Sequence, residues 1–423
     1  MHLRKFVGLG LATALVGSFA LSPAEAREAD KAETPPTGPA RSHGYDTAML
    51  EALATSRGTT IQAAAARLDA QAGAIRALES LKATSPDVDG AYFVRTDNKM
   101  RVNVKTSASA ERARAAGLVP RTATRGETDL NALARQIAQL AANAKVLDLK
   151  SAALDIPNEA VVITLGESVK AKQFGRDIAK LTGVKVQHKP GVSGAMKPKT
   201  THIGGNGMEI SPNGQSRGGI CTQGFSGLRQ GRLVMLTVGH CYTGVGKWVY
   251  TGVPSTATYL GQVIGNAFTY GRPASAPAPD VALVQLTPSA GAYSSINTHV
   301  PEGYRPMAEA QDPYYAMDIC KSGTRSGWSC GWVGLPEPYV LWYDDDDNPI
   351  GHVGPTWLAD YCSVEGDSGG PIVSGNFAIG LVSGGADNPC PLNAAWTHRV
   401  TDQSHFTTVS HVLRSYPGTT TNF

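Results

Sequence analysis

Three residues far apart in the chain have the chemistry of an activated hydroxyl. Ser368 lies in Gly366-Asp367-Ser368-Gly369-Gly370-Pro371, His240 in Thr237-Val238-Gly239-His240-Cys241, and Asp280 opens Asp280-Val281-Ala282-Leu283-Val284. A serine hydroxyl is a poor nucleophile at neutral pH. It needs a base to take its proton and a third group to hold that base in one tautomer. Glycines on both sides allow Ser368 a strained turn that aims the N–H groups of Gly366 and Ser368 at one spot. Such a pair makes an oxyanion hole, each donor lowering an acyl-transfer barrier by about 3–4 kcal/mol.

His240 is the base candidate because the apolar run Leu233–Val238 reads as a strand that ends there, beside a cysteine able to fix the backbone. The other nine histidines lack that setting before Ser368 and read as surface or core residues. Asp280 follows the Pro-rich stretch Ser275–Pro279 and opens a buried strand, a place for a carboxylate that an orienting role explains. The G-x-S-x-G spacing also fits the nucleophile elbow of α/β-hydrolases. Those enzymes place both partners after the serine and follow it with a helix. Here both partners precede it, Pro371-Ile372-Val373 reads as a strand, and 55 residues remain.

The elements that must position these residues change character along the chain. Asp46–Leu81 is Ala-rich, with apolar residues at helical spacing, and predicts two helices broken near Arg57-Gly58. A pattern then occurs twice. Gly90–Val94, a turn at Asp97-Asn98 and Met100–Val104 predict a hairpin, followed by a helix over Ala108–Ala116. Ala152–Asp155, a turn at Pro157-Asn158 and Ala160–Leu165 predict another, followed by a helix over Val169–Leu181 and a strand at Val184–Gln187. Asp129–Val146 between them is amphipathic. Lys189–Thr201 has no periodicity and reads as a boundary and processing segment. Beyond it, short β-branched runs separated by Gly, Pro, Asn and Asp predict a sandwich or barrels, with one helix at Thr407–Arg414.

At 423 residues the chain exceeds one core of ordinary size. Arg4 and Lys5, the apolar run Phe6–Leu21 and Ala24-Glu25-Ala26 read as a secretory signal cut after Ala26, the apolar run being short for a membrane span. Residues 27–45 are a polar lead-in. All six cysteines (Cys221, Cys241, Cys320, Cys330, Cys362, Cys390) follow residue 200. In an exported chain they imply disulfides; 15 pairings are possible, and we expect the sequential one, Cys221–Cys241, Cys320–Cys330 and Cys362–Cys390. No CxxC or His-x3-His spacing supports a metal site, and no cofactor is called for. Residues 27–199 carry 26 Lys/Arg against 18 Asp/Glu (+8), and residues 200–423 carry 10 against 16 (−6), so opposite fields favour their association. No basic stripe carries interleaved aromatics, which argues against nucleic-acid binding.

Together these motifs resemble the chymotrypsin-like serine peptidases, most closely the secreted bacterial branch of alpha-lytic protease and the streptogrisins. The resemblance covers about 220 residues from Ile203 and rests on Gly366–Pro371, Thr237–Cys241, Asp280–Leu283, and Cys320-Lys321-Ser322-Gly323 with Cys330-Gly331. It implies an all-β catalytic domain of two antiparallel β-barrels over 201–423, with the triad His240, Asp280 and Ser368. The doubled hairpin-plus-helix pattern resembles the pro-region of the same branch, giving an α+β pro-region at 27–200. The implied protein is a secreted, monomeric endopeptidase made as a zymogen. Its partners are peptide substrates and its own pro-region, which assists folding, inhibits, and adds Val184–Gln187 to a sheet edge. No nucleic acid and no stable membrane association are expected. By resemblance, Ser383-Gly384-Gly385 is the edge strand that pairs with substrate backbone, and Cys362–Glu365, Val382–Gly385 and Ala386–Cys390 wall the specificity pocket. The pocket floor lacks an aspartate, which favours small to medium apolar side chains over Lys or Arg.

This chain departs from the pattern in three places. Val238 replaces an alanine beside the histidine, the one hint of the alternative reading, a catalytically dead binding or adhesion protein on a peptidase scaffold. Lys321 stands where an arginine pairs with the aspartate before the serine, and Ile203-Gly204-Gly205 resembles the N-terminus that does that job in the animal branch, leaving the partner of Asp367 open. The run Tyr343-Asp344-Asp345-Asp346-Asp347-Asn348-Pro349 reads as a hairpin tip rather than a calcium site.

Overall fold

The computed structural model describes residues 44–45, 47–189, 207–211, 219–242, 244–251, 258–287, 295–297, 299, 304–344, 347–385 and 404–422. The signal at 1–26, most of the processing segment, Ile203–Gly205 and residues 386–403, which include Cys390, lie outside the described residues.

The N-terminal part begins with two helices, α1 (Thr47–Arg57) and α2 (Ile61–Thr84). Gly58, at φ +62°, breaks them where the sequence predicts, and the Thr60 hydroxyl caps α2 by accepting from Ala63 N. The predicted repeat is more complete than the sequence pattern shows. β1 (Ala91–Phe93) and β2 (Met100–Val104) form a hairpin, α3 (Ser107–Ala115) follows, and β3 (Val119–Thr122) returns parallel to β2. After α4 (Glu127–Asn143), β4 (Leu149–Asp155), β5 (Ala160–Leu165), α5 (Val169–Ile178) and β6 (Val184–His188) repeat that plan, β6 lying parallel to β5. β3 escapes sequence reading because Val119-Pro120-Arg121-Thr122 is short and barely buried.

From residue 207 the chain is β-rich. β7 (Gly207–Ser211), β8 (Ile220–Thr222), β9 (Phe225–Arg229), β10 (Arg232–Thr237), β11 (Trp248–Thr251), β12 (Thr258–Asn266) and β13 (Ala282–Leu286) join one antiparallel sheet. Short strands β14 (Ser295–Asn297), β15 (Tyr304–Pro306) and β16 (Glu309–Ala310) lead out of it. Then come β17 (Asp318–Gly323), β18 (Gly327–Glu337), β19 (Tyr339–Tyr343), β20 (Pro349–Val353), β21 (Thr356–Ala359), β22 (Pro371–Ser374), β23 (Phe377–Gly385) and β24 (Ser404–Thr408). The order β23-β22-β17-β18-β21-β24 closes on itself through a β23–β24 pairing, which makes a six-stranded antiparallel barrel. Helix α6 (Val409–Ser415) follows, and β25 (Thr419–Thr421) returns to β9 at the edge of the first sheet. The β-rich part is thus built on two antiparallel sheets, one closed and the other open among the described residues.

The aspartate run lies between two paired strands, its Asp345 and Asp346 outside the described residues. β19 pairs antiparallel with β20, and Asp344 closes the turn by accepting from Asn348 N at 2.8 Å. That hairpin also carries the joint between the two halves, through a strand other than the expected one. β4, not β6, pairs with β19, giving the sheet order β20-β19-β4-β5-β6 and leaving β6 at the far edge. The burial pattern explains the choice. β6 is largely exposed, whereas β4 is mostly apolar and its Ala152 and Leu154 share a core with Tyr339. Helix α1 buries Met49, Leu50 and Leu53 in the cluster that holds Val373 and Leu381 of the barrel. Residues 38–423 accordingly form one compact unit.

Candidate active site

β10 ends at Thr237 and delivers His240, which is buried. Its ring Nδ1 lies 2.8 Å from Asp280 Oδ2, and its backbone N donates to Asp280 Oδ1 at 2.8 Å. The Ser383 hydroxyl donates to Asp280 Oδ2 as well. A carboxylate with both oxygens engaged fixes Nδ1 as the protonated nitrogen and leaves Nε2 able to accept. Nε2 is buried and has no hydrogen-bond partner among the described residues. Asn266 staples the loop from outside, its amide donating to Gly239 O at 3.1 Å and Tyr242 O at 2.9 Å. The indole of Trp342, on β19, meets the imidazole edge-to-face at 5.1 Å, and Phe268 stands 6.3 Å away. Both rings are buried and keep one side of the imidazole dry. Val238 packs in the core behind.

Ser368 comes from the turn between β21 and β22 and is held to the histidine loop by one short strand. Cys221 of β8 is disulfide-bonded to Cys241, the residue after His240. The next residue, Thr222, donates its N–H to Ser368 O at 2.7 Å and its hydroxyl to Gly366 O at 2.8 Å. The serine turn and the histidine are therefore tied to adjacent residues of the same strand. Gly369 sits at φ +85°, and a Cβ there would lie 2.5 Å from Thr222 O and 2.8 Å from Thr237 Oγ1, so only glycine lets the turn close onto β10.

Three N–H groups of the turn are already engaged. Asp367 N donates to Val364 O, Gly369 N to Val382 O and Gly370 N to Asp367 O. Gly366 N and Ser368 N have no backbone acceptor among the described residues. This leaves a pair of amide donors flanking the serine, the arrangement that stabilises an oxyanion.

The partner of Asp367 is Lys321, whose Nζ donates at 2.9 Å, with both side chains fully buried. Asp367 also accepts from Arg325 N at 2.9 Å, Ser326 N at 3.1 Å, Val364 N at 3.0 Å and the Ser326 hydroxyl. The two partners respond differently. Burial dominates at Lys321 and lowers its pKa against the pull of Asp367. At Asp367 burial pushes upward, but Lys321 and the other donors outweigh it and hold the carboxyl below its ordinary range. The carboxylate has the fuller set of partners, so the ionised form is secured there.

Cys320 and Cys330 are bonded across the β17–β18 register, as expected. Cys362 is disulfide-bonded, and Cys390 lies outside the described residues. On β23, Val382 exchanges backbone hydrogen bonds with Gly369 and Gly370; Ser383 sits at a register shift, and Gly384 and Gly385 have β24 on one side and no strand on the other among the described residues. Sequence reasoning missed Thr222, Asn266, Trp342 and the second task of Ser383. Each acts across a long sequence separation, and the only local signal was the aromatic run Tyr339–Tyr343.

No helix among the described residues is long and apolar enough to cross a membrane. No family model matches the chain. It is 30% identical over 316 residues to Serine protease 1 of Streptomyces fradiae, covering 74% of this chain and 80% of that one. It is 26% identical over 303 residues to Streptogrisin-D of Streptomyces griseus, covering 71% and 69%. Thermobifida fusca protease A, a solved structure, is 25% identical and covers 52% of this chain and 97% of its own, with a TM-score of 0.39. On the match to Serine protease 1, this chain belongs to the chymotrypsin-like bacterial serine peptidases of the streptogrisin branch and is a serine endopeptidase.

Proposed function

We propose that this endopeptidase works through Ser368 as nucleophile, His240 as base and Asp280 as its orienting partner, with Gly366 N and Ser368 N receiving the oxyanion. The observation that carries the reading is His240, bonded to Asp280 through Nδ1 with Nε2 unengaged, in a loop cross-linked to the strand that holds the serine turn. The Ser368 hydroxyl attacks the peptide carbonyl while His240 Nε2 takes its proton. The tetrahedral oxyanion rests on the two amides, and Nε2 returns the proton to the departing amine. Water then repeats the sequence on the acyl-enzyme. The unpaired edge of Ser383–Gly385 suits an extended substrate strand, aided by Val382 and the Cys362–Glu365 segment, and the apolar walls fit small to medium apolar side chains.

The same reading makes the chain an exported, monomeric precursor, with a signal at 1–26, a pro-region at 27–200 and the peptidase domain at 201–423. The match to Serine protease 1 spans 74% of the chain, more than the stretch from residue 207 onward, so it reaches into the N-terminal half. The joint of β4 to β19 agrees with a pro-region that assists folding of the peptidase portion.

The test is a fluorophosphonate label. It is expected on Ser368 of the processed chain, with hydrolysis nearly abolished in Ser368→Ala and in His240→Ala. The double variant should lose little more, because the groups act as one unit. A processed chain that folds yet takes no label would overturn the assignment in favour of a binding protein.

A further inference from the structure

Two buried carboxylates, Asp280 and Asp367, flank the site. A third, Asp318 on β17, is approached from the N-terminal half. Its side chain has no exposed surface, and two guanidinium groups close on it, Arg57 through Nη2 to Oδ1 and Arg67 through Nε to Oδ2. Gln71 donates to Oδ2 at 3.3 Å and accepts from Asp318 N at 3.1 Å. Directly across the β17–β18 register from Asp318 stands Trp332. Arg95 lies over that indole at 3.4 Å from the ring centroid, with Arg57 at 5.1 Å.

The arginines arrive from three elements, the end of α1, the body of α2 and the turn after β1. They are pre-assembled by Arg67 Nη1 donating to Arg95 O at 3.3 Å, Asn98 Nδ2 donating to Arg67 O at 3.1 Å and Gln71 Nε2 donating to Asn98 Oδ1 at 2.8 Å. Three like charges gathered this way repel one another. Burial, then Arg67 and Arg95, lower the pKa of Arg57. The arrangement becomes favourable only against a carboxylate and an aromatic face, which β17 and β18 supply side by side. Every donor on the Asp318 carboxylate among the described residues comes from residues 57–71. The sheet joint, by contrast, is two residue pairs, Tyr339 with Ala152 and Val340 with Ser151.

The geometry points to the Asp318–Trp332 pair as an arginine receptor on the peptidase portion that keeps residues 44–189 bound after the 190–206 stretch is cut. This rests on the precursor reading above and names what holds the two pieces. Cutting the connection then does not release the peptidase. The helical pair α1–α2, which carries Arg57, Arg67 and Gln71, must be digested or displaced.

The test uses the full chain with Ser368→Ala and a site-specific protease sequence placed between residues 190 and 206. After nicking, dissociation of the fragments is followed by size-exclusion chromatography and by a fluorescent label. Asp318→Asn should weaken retention about 30-fold or more, since it leaves buried guanidinium groups uncompensated. Trp332→Ala should weaken it about fivefold. Arg57→Ala combined with Asp318→Asn should cost clearly less than the product of the single losses. Arg67→Met, changed on the helix side, gives the same reading should Asp318→Asn fail to fold. Wild-type retention in both Asp318→Asn and Arg67→Met, or multiplicative losses in the double variant, would overturn the proposal. If the nicked chain with Ser368 intact is as active before release as after it, the precursor reading fails, while the coupling between Arg57 and Asp318 still decides the receptor.

Discussion

Asp280 and Asp367 are both buried carboxylates within reach of the same site, yet they are partnered for opposite purposes. Asp280 engages a side chain that can change its charge, His240, together with one backbone N–H and one hydroxyl. Asp367 engages a lysine, three backbone N–H groups and a hydroxyl, a set of donors that belongs to the walls of the serine turn rather than to the base. The first environment leaves the partner free to gain and lose a proton, and the second holds a loop still. A carboxylate at either place is mandatory, but its loss should be felt as rate at one and as stability at the other.

The sharpest way to break that contrast is Asp280→Asn. The amide keeps the shape, but its NH2 turned toward Nδ1 would favour the tautomer with the proton on Nε2, so the base points its proton at the serine. Turnover is expected to fall by about 10⁴ with stability changed far less. Steady-state kinetics beside urea unfolding checks both halves, and near-normal turnover would remove Asp280 from the role assigned to it.

Asp367→Asn should invert the pattern. The Lys321 ammonium would remain buried with no negative charge to balance it, bonded only to neutral acceptors such as the Ser326 hydroxyl and Gly327 O. A loss of about 3–5 kcal/mol in unfolding free energy is expected. The sign with pH follows from the depressed carboxyl. Its stabilisation is complete above the ordinary carboxylate range and is lost as pH falls through the lower folded value. Wild-type stability should therefore drop more steeply with acid below pH 3.8 than that of Asp367→Asn, as followed by urea midpoints. Parallel acid curves would show that Asp367 is not the group lost.

How much of this was legible in the sequence depends on how far each residue reaches. The triad candidates, the Cys320–Cys330 pairing, the helices on either side of Gly58 and the β19–β20 hairpin were written in local composition and in motif order. β3 was not, because Pro120, the half-buried Arg121 and the exposed Thr122 give it no alternation to read. Val184–Gln187 reads locally as the strand for the joint, whereas an edge that must be covered selects the more apolar Leu149–Asp155. Lys321 as partner of Asp367 needed the register of β17 against β22, which sequence spacing does not contain. Thr222 is the clearest case. A threonine after a cysteine carries no signal, yet two of its hydrogen bonds fix the serine turn.

The finest division of the comparison lies within the surroundings of Asp280 itself. The Ser383 hydroxyl donates to the same Oδ2 that receives the imidazole N–H, from the strand whose next two residues have an edge unpaired among the described residues. Ser383→Ala removes one donor to a charged group and leaves the imidazole and backbone bonds in place, so kcat/KM should fall about tenfold and unfolding free energy by about 1–2 kcal/mol. Loss of that donor leaves more negative charge on the oxygen facing Nδ1. The imidazolium is then better stabilised, and the acid limb of the kcat/KM profile should move to higher pH. A merely structural serine would lower stability without moving that limb. An unshifted profile together with the tenfold loss would assign Ser383 to packing alone and leave His240 and the backbone N–H as the only groups that orient Asp280.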